Sequence, residues 1–256
     1  MLELNGISVK FGGVLAISNL DLVVHKDEIV GLIGPNGAGK TTLFNVVSGF
    51  VKPATGTAVY KGHRLMGKRP DQIAKLGLTR TFQHSMLWGN GSVLQNVIWA
   101  HHLKARVSFL GALFDTRTTR QREKNVVAKS LDILRYFGLD PVAGELAGNL
   151  PHGQQRALGI AIAISADPEL LMLDEPATGM TGEESARMMN LICKVRDSGR
   201  TILLVEHNMR VVTGCCDRIV VLNFGQKIAE GSPEDVSKNP RVIEAYLGAG
   251  EGEYAA

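Results

Sequence analysis

The stretch Gly34-Pro35-Asn36-Gly37-Ala38-Gly39-Lys40-Thr41 has the spacing G-x-x-x-x-G-K-[ST] of a phosphate-binding loop. The preceding residues, Glu28 to Ile33, predict a buried strand, and Thr41 to Val47 predict the first turns of a helix. A phosphate-binding loop needs this strand-loop-helix context. The stretch therefore predicts a site for the phosphates of a nucleoside triphosphate. Thr42, the next residue of the helix, is part of the predicted site.

Each residue type in this loop has a physical reason. Glycine allows a turn tight enough for successive backbone N–H groups to converge on one anion. The helix that follows directs the positive end of its dipole at the same point. Lys40 adds a mobile positive charge for the outer phosphates, and Thr41 adds a hydroxyl ligand for Mg²⁺.

Composition limits the classes of function. The 256 residues are 45% hydrophobic and 21% charged, which is typical of a globular protein with one large domain or two small lobes. The net charge of +3 comes without a basic run, so we do not expect nucleic-acid binding. No apolar stretch is long enough for a membrane span, the N-terminus lacks a signal-peptide pattern, and three cysteines give no disulfide framework. These features favour the cytoplasm.

The pattern of residues changes along the chain. The first part is rich in short strands and predicts an antiparallel sheet beside the strand that feeds the loop. The middle is irregular from His84 to Thr119 and helical from Arg120 to Phe137, which predicts an inserted helical lobe. The last third alternates buried strands with helices, and Gly248 is expected to end the final helix. Such alternation predicts an α/β fold with a mainly parallel sheet.

Two carboxylates follow a buried strand at Leu170-Leu171-Met172-Leu173-Asp174-Glu175. Ligands of an open parallel sheet lie beyond the carboxyl ends of its strands, so this strand end is expected to face the same crevice as Lys40. Asp174 then suits a Mg²⁺ site, and Glu175 suits the activation of an attacking water. An isolated Asp-Glu pair is more typical of a solvated turn, and the phosphate loop favours the catalytic interpretation.

Five motifs in order resemble the ATP-binding cassette (ABC) family of transporter ATPases. They are the phosphate loop, of the Walker A type; Gln83 within Thr81-Phe82-Gln83; the signature segment Leu150 to Arg156; the Asp174-Glu175 strand; and His207 after the strand Thr201 to Val205. The resemblance covers nearly the whole chain. It implies a RecA-like P-loop core with a mainly parallel sheet, an N-terminal antiparallel β subdomain and an inserted α-helical subdomain.

The resemblance also assigns roles to individual residues. Phe11 is similar to the aromatic residue that stacks on adenine, and His207 to the switch histidine that contacts the γ-phosphate. Gln83 is similar to the glutamine that reaches Mg²⁺ and water, which implies a metal site made by Thr41, Gln83 and Asp174. The implied cofactors are ATP and Mg²⁺. Without the family, a strand-end Phe is more typical of the core, and a lone His is usually structural.

The signature segment is similar to the loop that contacts ATP held by an opposing subunit, with Gly153 and Gln154 as matching residues and His152 as a candidate to substitute for the family's serine. A head-to-tail homodimer or a heterodimer with a sibling ATPase is therefore implied. The chain departs from the family at two places, since Pro151-His152 replaces Ser-Gly and Thr181 replaces an aspartate. These departures leave open how strongly the signature segment contacts ATP and how the two ATP sites communicate. The asymmetry favours pairing with a different, sibling ATPase over pairing with a second copy.

We expect one ABC ATPase domain over residues 1–248, with a nucleotide-binding core of 1–83 and 155–248, a helical subdomain of 84–154 and a loose tail of 249–256. Within the family, three stretches resemble the subunits that drive uptake of branched-chain amino acids: Thr79 to His84, Gly153 to Arg156, and Asn239 to Gly248. That resemblance implies transmembrane permease partners, an indirect link to a periplasmic binding protein, and a peripheral position on the cytoplasmic face of the inner membrane. Apolar residues of Ser85 to Val97 are candidates for permease docking or for packing inside the helical lobe.

Other functions remain open. ATPases for urea, other amides and lipopolysaccharide look alike, because membrane and periplasmic subunits select the substrate. A nucleotide-gated regulatory subunit that hydrolyses little is favoured by the unusual signature and disfavoured by Glu175 and His207. A cassette ATPase acting on DNA or ribosomes, or a small GTPase, is disfavoured by the absence of coiled-coil insertions and of an Asn-Lys-x-Asp motif.

Overall fold

A computed structural model describes residues 1–81, 87–104 and 117–250. The chain forms two compact units, of which the first joins Met1–Arg80 to the chain from Glu169 onward and the second spans Thr81–Pro168. Within the described residues, no helix has the length and apolar character needed to cross a membrane. The predicted single domain over 1–248, its inner boundaries and its loose tail stay predictions.

All strands of the described residues lie in the first unit. Their bounds are β1 Leu2–Phe11, β2 Val14–Val24, β3 Ile29–Ile33, β4 Thr55–Tyr60, β5 His63–Arg64, β6 Leu78–Arg80, β7 Leu170–Asp174, β8 Thr201–Val205, β9 Arg218–Asn223 and β10 Gln226–Gly231.

The smaller sheet is antiparallel, with strand order β2-β1-β4-β5. Leu2 and Leu4 of β1 pair with Val24 and Leu22 of β2, and all four side chains are buried. The register shifts after Leu4, which explains why the apolar alternation of β1 is broken in the sequence. The predicted antiparallel sheet is present.

The larger sheet has strand order β10-β9-β3-β8-β7-β6, in which every pair is parallel except the edge pair β10–β9. Strands β3, β7 and β8 are buried along their whole length, as expected for a parallel sheet with both faces covered. Because these neighbours run in the same direction, their carboxyl ends meet at one edge. That edge carries the phosphate loop after β3, Asp174 at the end of β7, and Glu206 after β8.

The helices of the first unit are α1 Lys40–Val47, α2 Pro70–Lys75, α6 Gly182–Asp197, α7 Met209–Cys215, α8 Pro233–Ser237 and α9 Pro240–Gly250. Thr181 caps α6 and Ser232 caps α8, each in a capping box with the acidic residue three positions later. The predicted end of the last helix at Gly248 is wrong, because α9 continues to Gly250. Helices α2 and α7 and strand β6 are short, and the sequence pattern did not predict them.

The second unit contains α3 Val93–Lys104, α4 Arg117–Tyr136 and α5 His152–Ser165, with two 3₁₀ turns at Asp140–Val142 and Ala147–Asn149. The prediction of an irregular segment from His84 to Thr119 is wrong at α3. A capping box begins this helix, since the Gln95 N–H donates to Ser92 Oγ (3.1 Å) and the Ser92 N–H donates to Gln95 Oε1 (2.8 Å). The S-x-x-Q spacing was the available signal.

A cluster of buried apolar side chains joins both sheets of the first unit to α1. Phe44 of α1 and Tyr60 of β4 are fully buried in it, together with side chains of both sheets such as Leu4, Leu32 and Met172. Close-packed protein interiors resist local deformation. The core therefore fixes the loop between β3 and α1.

Candidate functional site

The loop between β3 and α1 needs glycine for steric reasons at two positions. Gly34 has φ +149°, and a Cβ built there would lie 2.1 Å from the carbonyl oxygen of Leu222. Gly39 has φ +103°, and its Cβ would lie 2.8 Å from the carbonyl oxygen of Ala16. No larger residue fits either position without moving backbone. The first and sixth positions of the motif are thus set by contacts with distant strands.

The hairpin turn between β9 and β10 supports the back of this loop. The Gly225 N–H donates to the Ala38 carbonyl at 3.0 Å, and the Ser18 N–H donates to the Gly225 carbonyl at 2.9 Å. These backbone bonds connect the loop to β2 through the turn. The turn therefore preorganises the part of the loop ahead of α1, which contains Pro35, Asn36, Gly37 and Ala38.

Lys40 begins α1 and its side chain folds back over the loop. Its Nζ donates to the carbonyls of Gly34 (2.6 Å) and Pro35 (3.0 Å), and the residue is only 8% exposed. Burial lowers the pKa of Lys40, while the negative charges of Glu175 and Asp174 raise it in part. The ammonium group thus lies over the loop and within the field of the two carboxylates that the sequence predicted opposite it.

Glu175 follows β7 in a strained conformation. Its φ of +48° is unusual for a residue with a side chain, and its N–H donates to the Val205 carbonyl at 2.9 Å. The Thr178 hydroxyl donates to Glu175 Oε2 at 3.2 Å, which orients the carboxylate. Backbone strain of this kind is concentrated at functional sites, where surrounding structure enforces it.

His207 follows β8, and its side chain lies beside that of Glu175. The distance from His207 Nδ1 to Glu175 Oε1 is 3.9 Å, and the His207 side chain is about half exposed, at 54%. The pair lies at the edge of the sheet that also carries Lys40. An exposed imidazole beside a carboxylate can donate to an anion or to a water in front of this edge.

Sequence reasoning missed the role of Glu206. This carboxylate is fully buried and accepts from the N–H groups of Ala177 (2.7 Å), His207 (3.1 Å) and Asn208 (3.3 Å). Burial raises the pKa of Glu206, and the three N–H bonds oppose that rise only in part. The loop after Glu175 and the loop that carries His207 are joined through this one side chain. A glutamate directly before the predicted switch histidine was the available signal.

Arg80 was also missed, although it lies in a quoted stretch. Its guanidinium contacts Asp174 at the end of β7, Asn45 of α1 and Ser48 at the C-cap of α1, at a site that is more than nine-tenths buried. The sequence pattern gives no sign of these contacts, because α1, β6 and β7 are far apart in the chain.

The oxygen donors present fit Mg²⁺ in a nucleotide complex. Thr41 adds a hydroxyl in the first turn of α1, and Asp174 adds a carboxylate at the facing strand end. Among the described residues, no group of three or more His, Cys, Asp or Glu side chains could hold a metal by itself. Mg²⁺ commonly uses one or two protein oxygens together with substrate phosphates, so this sparse donor set is the one expected.

The other predicted site residues are Gln83, His152, Gly153, Gln154 and Phe11. Gln83 lies outside the described residues. His152, Gly153 and Gln154 form the first turn of α5 in the second unit. Phe11 ends β1 and is 51% exposed, so it is not a core residue and its ring is available for stacking.

Comparisons with known proteins match nearly the whole chain. The family model described as "ABC transporter" matches residues 17–178, and that described as "Branched-chain amino acid ATP-binding cassette transporter" matches residues 226–252. The chain is 42% identical to the high-affinity branched-chain amino acid transport ATP-binding protein LivG of Escherichia coli K12 over 97% of its length and 98% of the relative. It is 40% identical, with the same coverage, to BraF of Pseudomonas aeruginosa, which has the same description.

Solved structures give the same fold. The ADP conformation of MJ1267, an ATP-binding cassette of an ABC transporter, superposes with a TM-score of 0.85 at 30% identity, covering 97% of this chain and 98% of that one. A nucleotide-free cassette of an ABC transporter gives 0.84 at 29% identity, with coverages of 96% and 98%. The α/β fold predicted from the sequence is confirmed.

Proposed function

We propose, from the premise that this chain belongs to the ABC transporter ATPase family, that its ATP hydrolysis powers the uptake of branched-chain or related amino acids. Membership rests on the family match over residues 17–178 and on 42% identity across nearly the full length, and it confirms the resemblance seen in the motifs. The chain is an ATP-binding and ATP-hydrolysing subunit. The amino-acid class is supported by the descriptions of its relatives and by the match over residues 226–252.

One observation supports the catalytic assignment most strongly: Glu175 and His207 come from neighbouring strands to within 3.9 Å of each other. We assign Glu175 to orienting and deprotonating the attacking water, and His207 to a contact with the γ-phosphate. Backbone N–H groups between Asn36 and Thr42 and the ammonium of Lys40 bind the phosphates. On binding, Lys40 exchanges its two loop carbonyls for phosphate oxygens.

The metal assignment is part of the same proposal. Thr41 and Asp174, with Gln83, would hold Mg²⁺, which when bound supplies positive charge to the β- and γ-phosphates. Thr41 would supply its hydroxyl from the start of α1, and Asp174 would supply its carboxylate from the end of β7. Phe11 would stack on the base.

A second cassette would complete the site. The first turn of α5 offers backbone N–H groups and a helix dipole to an anion, which supports a role for His152, Gly153 and Gln154 on ATP held by a partner subunit. The partner is a second copy or a sibling cassette. We place the assembly on the cytoplasmic face of the inner membrane, bound to permease subunits and supplied by a periplasmic binding protein.

The test is transport by the native assembly. Purification from native membranes should recover the permease subunits and a second cassette with this chain. Cells lacking the chain should lose uptake of labelled leucine, isoleucine and valine, and the parent chain should restore it while Lys40→Ala should not. Normal branched-chain uptake with lost uptake of urea or another amide would overturn the substrate class.

A further inference from the structure

Arg80 is the last residue of β6 and its side chain is buried against the candidate site. The guanidinium Nη2 donates to Asp174 Oδ2 at 2.7 Å, and the two side chains are 7% and 5% exposed. Nη1 donates to Asn45 Oδ1 at 2.7 Å and to Ser48 Oγ at 3.3 Å. The guanidinium carbon also lies 5.4 Å from the centre of the Phe44 ring.

These contacts belong to two different elements. Phe44 and Asn45 lie on α1, the helix that starts with Lys40 and Thr41, and Ser48 is the C-cap of that helix, whereas Asp174 ends β7. A guanidinium is planar and rigid, so bonds from its two terminal nitrogens fix the distance and the angle between their acceptors. The side chain therefore sets where the β7 carboxylate stands relative to the helix that carries Thr41.

We propose that Arg80 is a positioning residue for the Mg²⁺ site, which holds the Asp174 carboxylate in register with the Thr41 hydroxyl. This inference rests on the proposed metal role of Thr41 and Asp174. Arg80 does not touch the nucleotide; it acts through Asp174, by orienting one carboxylate oxygen and by placing a positive charge behind it. Changing a partner of this kind typically lowers metal affinity by about 10- to 100-fold.

Lysine would not replace arginine here. A lysine ammonium is a point charge that has no planar fork, so it can pair with Asp174 or reach α1 but does not fix the angle between them. The half-saturating Mg²⁺ concentration should therefore be lowest for the parent, higher for Arg80→Lys and highest for Arg80→Gln.

The test measures how nucleotide binding depends on the Mg²⁺ concentration. Binding of the non-hydrolysable analogue AMP-PNP to the purified full chain is followed by calorimetry without Mg²⁺ and across a Mg²⁺ titration. For Arg80→Gln we expect metal-free binding within about twofold of the parent and a half-saturating Mg²⁺ concentration raised by about tenfold or more. Arg80→Lys should fall between the two.

Arg218→Gln is the matched control. Arg218 pairs with Glu28 at 2.7 Å in the same unit, with side chains that are 20% and 16% exposed, and neither residue lies at the candidate site. This variant should lower the thermal midpoint without moving the Mg²⁺ titration. If it moves the titration as much as Arg80→Gln does, general destabilisation explains the result and the inference is wrong.

A milder variant covers the case in which Arg80→Gln does not fold. Asn45→Ala removes one acceptor of the guanidinium and leaves both charges, and it should raise the Mg²⁺ requirement by about threefold, less than a lost partner does. An unchanged titration for Asn45→Ala and for any folded Arg80 variant overturns the inference. Asp174→Asn distinguishes a failure of this inference from a failure of the proposed metal site. If this variant also leaves the Mg²⁺ titration unchanged, the proposed metal site itself is wrong.

Discussion

Two glutamates near the same sheet edge have different environments, and the difference supports the proposed role of Glu175. Glu175 is partly exposed, held by Thr178, and faces His207. Glu206 is fully buried and saturated with backbone N–H donors. A carboxylate that meets water can take a proton from it, whereas one buried among amides can only hold a loop.

The first prediction concerns Glu175. Glu175→Gln keeps the shape of the side chain but removes the base, so we expect ATP hydrolysis to fall by about 10²- to 10⁴-fold with ATP binding retained. Phosphate release and nucleotide binding measure the two effects separately. Glu183→Gln, at an exposed glutamate in the first turn of α6, should leave both unchanged. If Glu175→Gln hydrolyses ATP at close to the rate of the parent, Glu175 is not the catalytic base.

The second prediction is a pH dependence of stability. Because the pKa of Glu206 is raised in the folded state, its contribution to folding is fully present below its ordinary pKa and is lost as pH rises through the raised one. Glu206→Gln does not titrate. The free energy of unfolding of the parent minus that of the variant should therefore decrease from pH 4.5 upward. Chemical denaturation at a series of pH values measures it, and a constant or increasing difference would contradict the assignment.

At the scale of elements, the phosphate loop is shaped by strands that are remote in sequence. The Gly34 backbone faces the end of β9, and Gly39 faces β2. The motif glycines therefore have two roles. They permit the tight turn, and because they lack a Cβ they leave room for the backbone of strands that are distant in the sequence.

The third prediction separates these demands. Gly34→Ala adds both strain and a clash with the Leu222 carbonyl, whereas Gly62→Ala, in the turn between β4 and β5, has φ +77° and nothing within 4 Å of the added Cβ. Strain alone costs about 1 kcal/mol, and overpacking adds roughly 1–3 kcal/mol. Chemical denaturation should therefore show a larger loss of stability for Gly34→Ala. Equal losses would mean that the loop relaxes away from β9.

At the scale of the whole molecule, the second unit presents aromatic residues on its surface. Trp88 and Trp99 are 45% and 61% exposed, and their ring centroids lie 5.2 Å apart. The Asn96 side chain holds the Trp88 backbone by accepting from its N–H (2.9 Å) and donating to its carbonyl (3.1 Å). Ser85 and Met86 of the segment considered for permease docking lie outside the described residues. The exposure of Trp88 favours docking over packing inside the unit.

The fourth prediction follows for the assembled transporter. Trp88→Ser should weaken binding to the permease subunits by about 2 kcal/mol, as is common for a tryptophan at an interface, and should uncouple transport. Basal ATP hydrolysis by the isolated chain should not change. Tyr136→Ser, at an exposed aromatic residue of α4, is the control and should transport normally. Normal transport by Trp88→Ser would assign this surface to something else.

The sequence by itself determined the family, the α/β fold, the strand-loop-helix of the phosphate site and the placement of Asp174, Glu175 and His207 at strand ends. These follow from local patterns, because short-range spacing sets where a strand stops and which residue comes next. Only the tertiary structure decided the contacts of Arg80 and Glu206. Arg80 and Asp174 are 94 residues apart, and Ala177 and Glu206 are 29 apart, so their contacts depend on strand order in the sheet. No local pattern encodes that order, since it is set by which apolar strands pack together in the folded core.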